Sequence, residues 1–280
     1  MKRFTVKAGG LLGAGALWLS VFFLFVCIVG LMLWMGISSF KTPVEIFSDI
    51  WGLPENWLVS NYVTAWERGI SRYFLNSLLV TAGTVILVLG SCTLFAYAVT
   101  AYRLKLRTLF FLIAMSGMLF SPIVGIFPLF QEIQALGLYN KRLALVLVYA
   151  AYQFSISFLL IYSAFKEVDK AYLDSARIDG CGDLRVLFSI YIPMNKPILI
   201  TAAVLSGFYA WNEFTFALIF VKTDVLKTIP VGLLAFQGEM HAEWGILLAG
   251  LTLSALPIIV FFIFAQKYFV AGLSSGGVKG

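Results

Sequence analysis

The chain has 280 residues, of which 61% are hydrophobic and only 12% charged, with a formal net charge of +6. A soluble domain carries about 25% charged residues, so this composition excludes a soluble globular protein and indicates an integral membrane protein. The positive balance fits basic loops lying against anionic lipid. Nucleic-acid binding is excluded because no basic run is long and the aromatic residues lie in apolar segments.

A membrane-spanning helix needs about 20 largely apolar residues, and six segments qualify, at 11–37, 75–101, 108–130, 143–165, 197–221 and 245–266. The runs are too long and too evenly apolar for barrel strands of about ten alternating residues, so the fold class is all-α. The first segment follows Lys2, Arg3 and Lys7, but it exceeds a signal peptide's apolar region and is read as a retained span. The stretch 38–74, with Trp51, Trp57 and Trp66, is expected to lie at the headgroups or to pack as a small cap. The third segment carries Gly117, Pro122, Gly125 and Pro128 and is expected to be kinked and to face the interior of the bundle. Pro257 and Gly250 predict a similar kink in the last span. Thirteen of the 20 lysines and arginines fall on the side of the N-terminus, including Arg103, Lys105 and Arg107 in one short loop. The positive-inside rule then places both termini and the loop at 166–196 in the cytoplasm.

That loop is the one polar insertion between two long apolar runs. Asp169 can cap a helix starting near Lys170, with Tyr172, Leu173 and Ala176 on one face. Gly180 and Gly182 bracket Cys181 and suit a left-handed helix stop. Asp183 is expected to cap a second helix, Leu184 to Tyr191, with Leu184, Leu187, Phe188 and Tyr191 along one side. Pro193 and Pro197 are expected to end it and to begin the fifth span. The charges of the loop balance, so a protein groove is a better receiver than lipid alone. The alternative is an amphipathic loop that packs on its own bundle.

Asp174-Ser175-Ala176, Asp179-Gly180, Ile190 and Ile192-Pro193 resemble the coupling loop of ABC-importer permease subunits. That pattern reads Glu-Ala-Ala, two residues, Asp-Gly, and nine residues on, Ile-x-Leu-Pro. Asp174 stands in place of Glu, Ser175 in place of Ala and Ile192 in place of Leu. Asn76-Ser77-Leu78, Trp211-Asn212-Glu213-Phe214 and the tail from Gly272 to Gly280 are similar to the carbohydrate-uptake, maltose-permease-like branch. The resemblance covers nearly the whole chain. It implies the type I importer permease fold in a bacterial or archaeal cytoplasmic membrane, with residues 1–280 as a single multi-pass transmembrane domain. It also implies a second, different permease subunit, two ATPase subunits that hold ATP and Mg2+, an extracytoplasmic solute-binding protein and a carbohydrate substrate. Asp174, Ser175, Ala176, Asp179, Gly180, Ile190 and Pro193 would carry the ATPase contact. In the cytoplasmic tail at 267–280, Ser274, Gly276, Gly277 and Lys279 would make a second one.

Glu213 is the one acid placed well inside an expected span, where an ionised group costs about 2.5–3.5 kcal/mol. With Asn212, Trp211, Tyr209 and, from the fourth span, Gln153, it offers the amide, carboxylate and aromatic surfaces that hold sugars. The competing role is a polar clamp between helices. Asn76, Ser121 and Tyr152 are further pathway candidates, and the stretch from Glu239 through His241 to Trp244 is a candidate for touching an external binding protein. Cys27, Cys92 and Cys181 have no metal-ligand spacing. No phosphate-binding loop and no catalytic group of residues is present, the run from Gly276 to Gly280 lacking both the spacing and the hydroxyl of a P-loop. The chain is therefore not expected to be an enzyme or to hold a cofactor of its own. The alternative to an importer subunit is an ATP-independent secondary transporter or channel.

Overall fold

The computed structural model describes residues 9–102, 104–237 and 243–275. All regular structure among them is helical. In chain order the α-helices are α1 (Gly9–Ser38), α2 (Pro43–Ser48), α3 (Ser60–Ala65), α4 (Ser71–Ala101), α5 (Arg107–Ser116), α6 (Ile126–Ala135) and α7 (Arg142–Glu167). They continue with α8 (Lys170–Ile178), α9 (Asp183–Val186), α10 (Ile192–Met194), α11 (Lys196–Asn212), α12 (Thr215–Phe220), α13 (Ile229–Gly232) and α14 (Trp244–Ser275). The chain divides into two packed units, residues 1–68 with 236–253 and residues 69–235 with 254–280.

In the first unit, α1 is apolar all round and exposes Trp18, Phe22 and Leu33. Such a helix is stable only with its surface in lipid or against another apolar surface. The stretch after it does fold as a small cap. Thr42 and Glu45 form a reciprocal capping box at the start of α2, with Pro43 in its first turn. These hydrogen bonds, first among them the one from the Thr42 backbone amide, hold the Glu45 carboxyl below its usual range. Lys41 is buried and donates from Nζ to the Asp49 carbonyl at 2.7 Å. Asn61 Nδ2 donates to the carbonyls of Ser39 and Lys41, and the rings of Trp57 and Tyr62 pack on Phe40. Trp51, by contrast, is exposed.

The second unit is built on α4, α7 and α11. Buried residues on α4 recur every three or four positions, from Tyr73 through Ser77, Val80, Thr84, Val88, Cys92 and Ala96 to Val99, the stripe expected of a helix seated against neighbours. Small residues let the helices approach closely. A Cβ on Gly83 would lie 3.1 Å from Val146 of α7, and one on Gly207 of α11 would lie 3.4 Å from Val85. One cluster of buried side chains gathers around Tyr97, Phe158, Phe165 and Tyr191, and another around Leu145, Tyr149, Phe216 and Phe220.

Against the six expected spans, four helices among the described residues are long and apolar enough by themselves: Leu17–Ser38, Ser60–Ala101, Arg142–Glu167 and Trp244–Ile263. Asp183–Met194 followed by Lys196–Asn212, bent by 83°, makes a fifth. The second runs through a break at Gly69, whose φ of 137° no other residue type adopts easily. The third expected span is not one helix. After α5 come a 3₁₀ turn at Gly117–Leu119 and an irregular stretch before α6. Pro122 forbids continuation, whereas Pro128 is tolerated in the first turn of α6, where no backbone donor is needed. This break does not face the interior. Met118, Leu119, Phe120, Ile123, Val124 and Phe127 are all exposed, while the small residues Ala114 and Gly117 turn toward Ser155 of α7 and Gly125 toward Tyr152. The fifth expected span is also interrupted, at Glu213 and Phe214 between α11 and α12. α14 continues as one helix through Pro257.

Candidate coupling site and polar break

The polar insertion forms two helices at one end of the second unit. Asp169 caps α8 as expected, its Oδ1 accepting from the Ala171 amide at 3.0 Å. Gly180 has φ +76°. The Gly180 amide donates to the Arg177 carbonyl and the Cys181 amide to the Ala176 carbonyl. This is the Schellman arrangement, in which a left-handed glycine satisfies the last carbonyls of a helix.

Two expectations for the second helix need correction. Asp183 does not cap it. Gly182 takes the capping position without a side-chain bond, and Asp183 is the first helical residue, 3.7 Å from Arg177 Nη2. The Asp183 carboxylate lies beside the Tyr102 hydroxyl and raises its pKa. Nor does Pro193 end the helix, which continues as α10 to Met194. A π turn at Leu187–Tyr191, where the Ile192 amide reaches back to the Leu187 carbonyl, precedes the proline. The wider turn relieves the clash that a proline makes inside a regular helix. The chain then bends by 83° at Asn195 into α11.

The helix pair has two apolar faces. Leu173, Ala176, Val186, Leu187 and Tyr191 are buried and join the cluster around Tyr97 and Phe165. Tyr172 (53%), Ile178 (86%), Leu184 (65%) and Phe188 (63%) are exposed. Tyr172 therefore does not share the face of Leu173 and Ala176, and Leu184 and Phe188 do not share that of Leu187 and Tyr191. Among the expected coupling residues, Asp174, Ser175, Asp179, Gly180 and Pro193 are exposed and Ile190 is half-buried. Ala176 is buried and turns toward its own bundle, where its small side chain lets α8 sit down on the cluster. Ser274 lies in the last described turn of α14. Gly276, Gly277 and Lys279 lie outside the described residues.

The second polar locus is the break after α11. Glu213 does not sit within a helix; its carboxylate caps the start of α12, accepting from the amides of Phe216 at 2.9 Å and Ala217 at 3.2 Å. Its Oε2 also accepts from the Tyr149 hydroxyl on α7 at 2.7 Å. Tyr209 meets Tyr149 edge to face, Trp211 is buried and donates from Nε1 to the Ser254 carbonyl, and Asn212 is exposed. Gln153 is half-buried on α7.

Sequence reasoning missed a latch on the loop at 221–229. Asn76 is buried and donates to the carbonyls of Val225 and Lys227, each at 2.9 Å. Ser77 Oγ accepts from the Ile229 amide, and the Tyr73 hydroxyl donates to Asp224. Asn140, at φ 59°, accepts from the amides of Lys222 and Thr223. Asn76 is thus a loop anchor. Ser121 is exposed on the α5–α6 break, and Tyr152 stacks on Phe216. In the stretch from 239 to 244, Glu243 pairs with Arg68 and Trp244 packs on Phe47, while Glu239 and His241 lie outside the described residues.

Residues 93–275 match the family described as the binding-protein-dependent transport system inner membrane component. The chain belongs to this family. It is 42% identical over 269 residues to a probable ABC transporter permease protein, YurM, of Bacillus subtilis, covering 96% of this chain and 90% of the relative. It is 31% identical to the melibiose/raffinose/stachyose import permease protein MelC of the same organism, covering 84% and 86% respectively. In fold it is similar to a chain from a bacterial ABC transporter involved in the import of the acidic polysaccharide alginate, with a TM-score of 0.84 at 22% identity, covering 96% of this chain and 100% of that one. The fold is therefore that of an ABC importer permease, and the family is one of transport permeases rather than enzymes.

Proposed function

We propose that this chain is one permease subunit of an ATP-driven importer of a sugar or oligosaccharide in the cytoplasmic membrane of a bacterium or archaeon. Residues 1–280 form one transmembrane domain with six spans, the interrupted segment at 107–135 serving as the third, and both termini in the cytoplasm. A second, different permease subunit completes the path. A solute-binding protein delivers the carbohydrate, and two ATPase subunits bind ATP and Mg2+. The substrate class rests on relatives named for oligosaccharide import.

The observation that carries the coupling role is the division of the helix pair at 170–194 into an anchored face and an exposed apolar face. An exposed cluster of large apolar residues among charges is a protein-docking surface. Asp174, Asp179 and Gly180 lie at its edge, and the tail from Ser274 to Lys279 makes a second contact with the ATPase. Closure of the ATPase pair draws the helix pair inward and, through the bend at Asn195, swings α11. ATP binding thereby favours the outward-facing state because the ATPase binds the helix pair better in that state. In the path, Glu213 is occupied as a cap and clamp and Trp211 is packed inside the bundle, and Asn212, Tyr209 and Gln153 meet the sugar.

The test is uptake of labelled oligosaccharides into vesicles holding both permeases and both ATPases, with the binding protein outside. Uptake is expected only with ATP inside. Leu184→Asp with Phe188→Asp is expected to strip the ATPase from the purified complex, because loss of a docking anchor costs about 2 kcal/mol or more. Uptake by the permease chain alone without ATP would replace this reading by that of a channel or secondary transporter.

A further inference from the structure

The bend between α10 and α11 lies where backbone hydrogen bonds are scarce. Pro193 and Pro197 bring no backbone donor, and one helix stops and the next starts on either side of Asn195. Asn195 bonds to both sides. Its backbone amide donates to the Tyr191 carbonyl at 3.1 Å, and its side-chain Nδ2 donates to the same carbonyl at 2.8 Å. Its own carbonyl accepts from the amides of Ile198 at 3.1 Å and Leu199 at 3.2 Å. Thr201 Oγ1 donates to the Pro197 carbonyl in the first turn of α11.

Tyr191, which receives both bonds, is itself fixed. It is buried, and its ring meets Tyr97 of α4 and Phe165 of α7 edge to face, with centroids 5.0 and 5.1 Å away. The backbone bond alone would satisfy the Tyr191 carbonyl, as in a helix that continues. The second bond, on the other lone pair of that oxygen, fixes the direction in which the chain leaves Tyr191, and with it the 83° angle.

We propose that Asn195 is a positioning residue. Its side chain holds the angle between the helix pair at 170–194 and α11, with Tyr191 as the pivot, so that a displacement of the pair turns α11 instead of opening the bend. The consequence for transport rests on the importer reading above; the angle is measured without it.

The experiment puts one spin label on Cys181, half-buried in the polar insertion, and one on α11 at the exposed position of Phe208→Cys. The purified importer complex carries Cys27→Ala, and pulsed electron resonance reads the distance distribution across the bend. A single net hydrogen bond shifts an equilibrium by about fivefold, so Asn195→Ala is expected to raise the population with an opened bend about fivefold. Uptake per ATP hydrolysed is expected to fall with it. Asn195→Ser differs from Asn195→Ala by one hydroxyl, which donates to the carbonyl four residues back, and is expected to restore both the narrow distribution and the ratio. If Asn195→Ala does not assemble, Asn195→Asp, of nearly the same shape but without the donor, carries the same expectation. The same narrow distribution in wild type and Asn195→Ala would overturn the proposal, even if the variant unfolds at a lower temperature, because Asn195 would then serve stability alone. Equal broadening in Asn195→Ala and Asn195→Ser would overturn it too. Uptake that needs no ATP would overturn the importer reading, and the distance distributions would still decide whether Asn195 fixes the bend.

Discussion

Gly180 illustrates how one residue sets the geometry of the helix pair at 170–194. At φ +76° it closes α8, and a Cβ there would meet open space. Gly180→Ala is therefore opposed by backbone strain alone, about 1–2 kcal/mol. It is expected to leave the permease assembled while lowering uptake per ATP hydrolysed, read as the ratio of the two rates. Asp224 offers a pH test of the loop latch. Partial burial pushes its carboxyl up, but hydrogen bonds from Lys227 and Tyr73 outweigh this and hold its pKa below the ordinary value. A lowered folded-state pKa means that the latch is fully stabilised above the unfolded carboxylate pKa and loses that stabilisation as pH falls through the folded value. Hydrogen exchange at Ile229 is expected to quicken in that acid window in the wild type and to lose this pH dependence in Asp224→Asn.

Helices in this protein follow the sequence where a regular pattern continues, and depart from it where tertiary contacts decide. The cap at Asp169, the glycine stop at 180 and the start of a new helix at Pro197 were legible because each depends on a neighbouring residue or two. The faces of α8 and α9 were not, because apolar residues lie on both sides of each and only the contacts with Tyr97 and Phe165 distinguish the anchored side. The role of Glu213 was hidden for the same reason. An acid inside a long apolar run gives no sign that the helix stops beside it, and the Tyr149 hydroxyl that meets it lies 64 residues away. Asn76 and Ser77 likewise act on carbonyls and an amide some 150 residues distant. At this scale, Gly83 and Gly90 of α4 make a matched pair. A side chain at Gly83 runs into Val146, whereas one at Gly90 meets nothing within 4 Å. Gly83→Leu is expected to cost about 1–3 kcal/mol through overpacking, seen as a lower unfolding temperature of the chain, and Gly90→Leu to cost none.

Across the whole chain, the three cysteines report on topology. Cys92 is buried, Cys27 is exposed on the apolar surface of α1, and Cys181 is half-buried in the polar insertion. A membrane-impermeant maleimide is expected to label Cys181 from the cytoplasmic side of inverted vesicles and to spare the other two. Labelling from the outside of intact cells would reverse the orientation. The bend at Asn195 then carries a mechanical consequence. The arm from Asp183 to Met194 is about 18 Å long and that from Lys196 to Asn212 about 25 Å at 1.5 Å per residue, and they meet at 83°. Two stiff arms joined near a right angle behave as a bell crank. A push across the free end of the shorter arm would turn the elbow and carry the far end of α11, where Glu213 holds the start of α12, sideways by more than the near end.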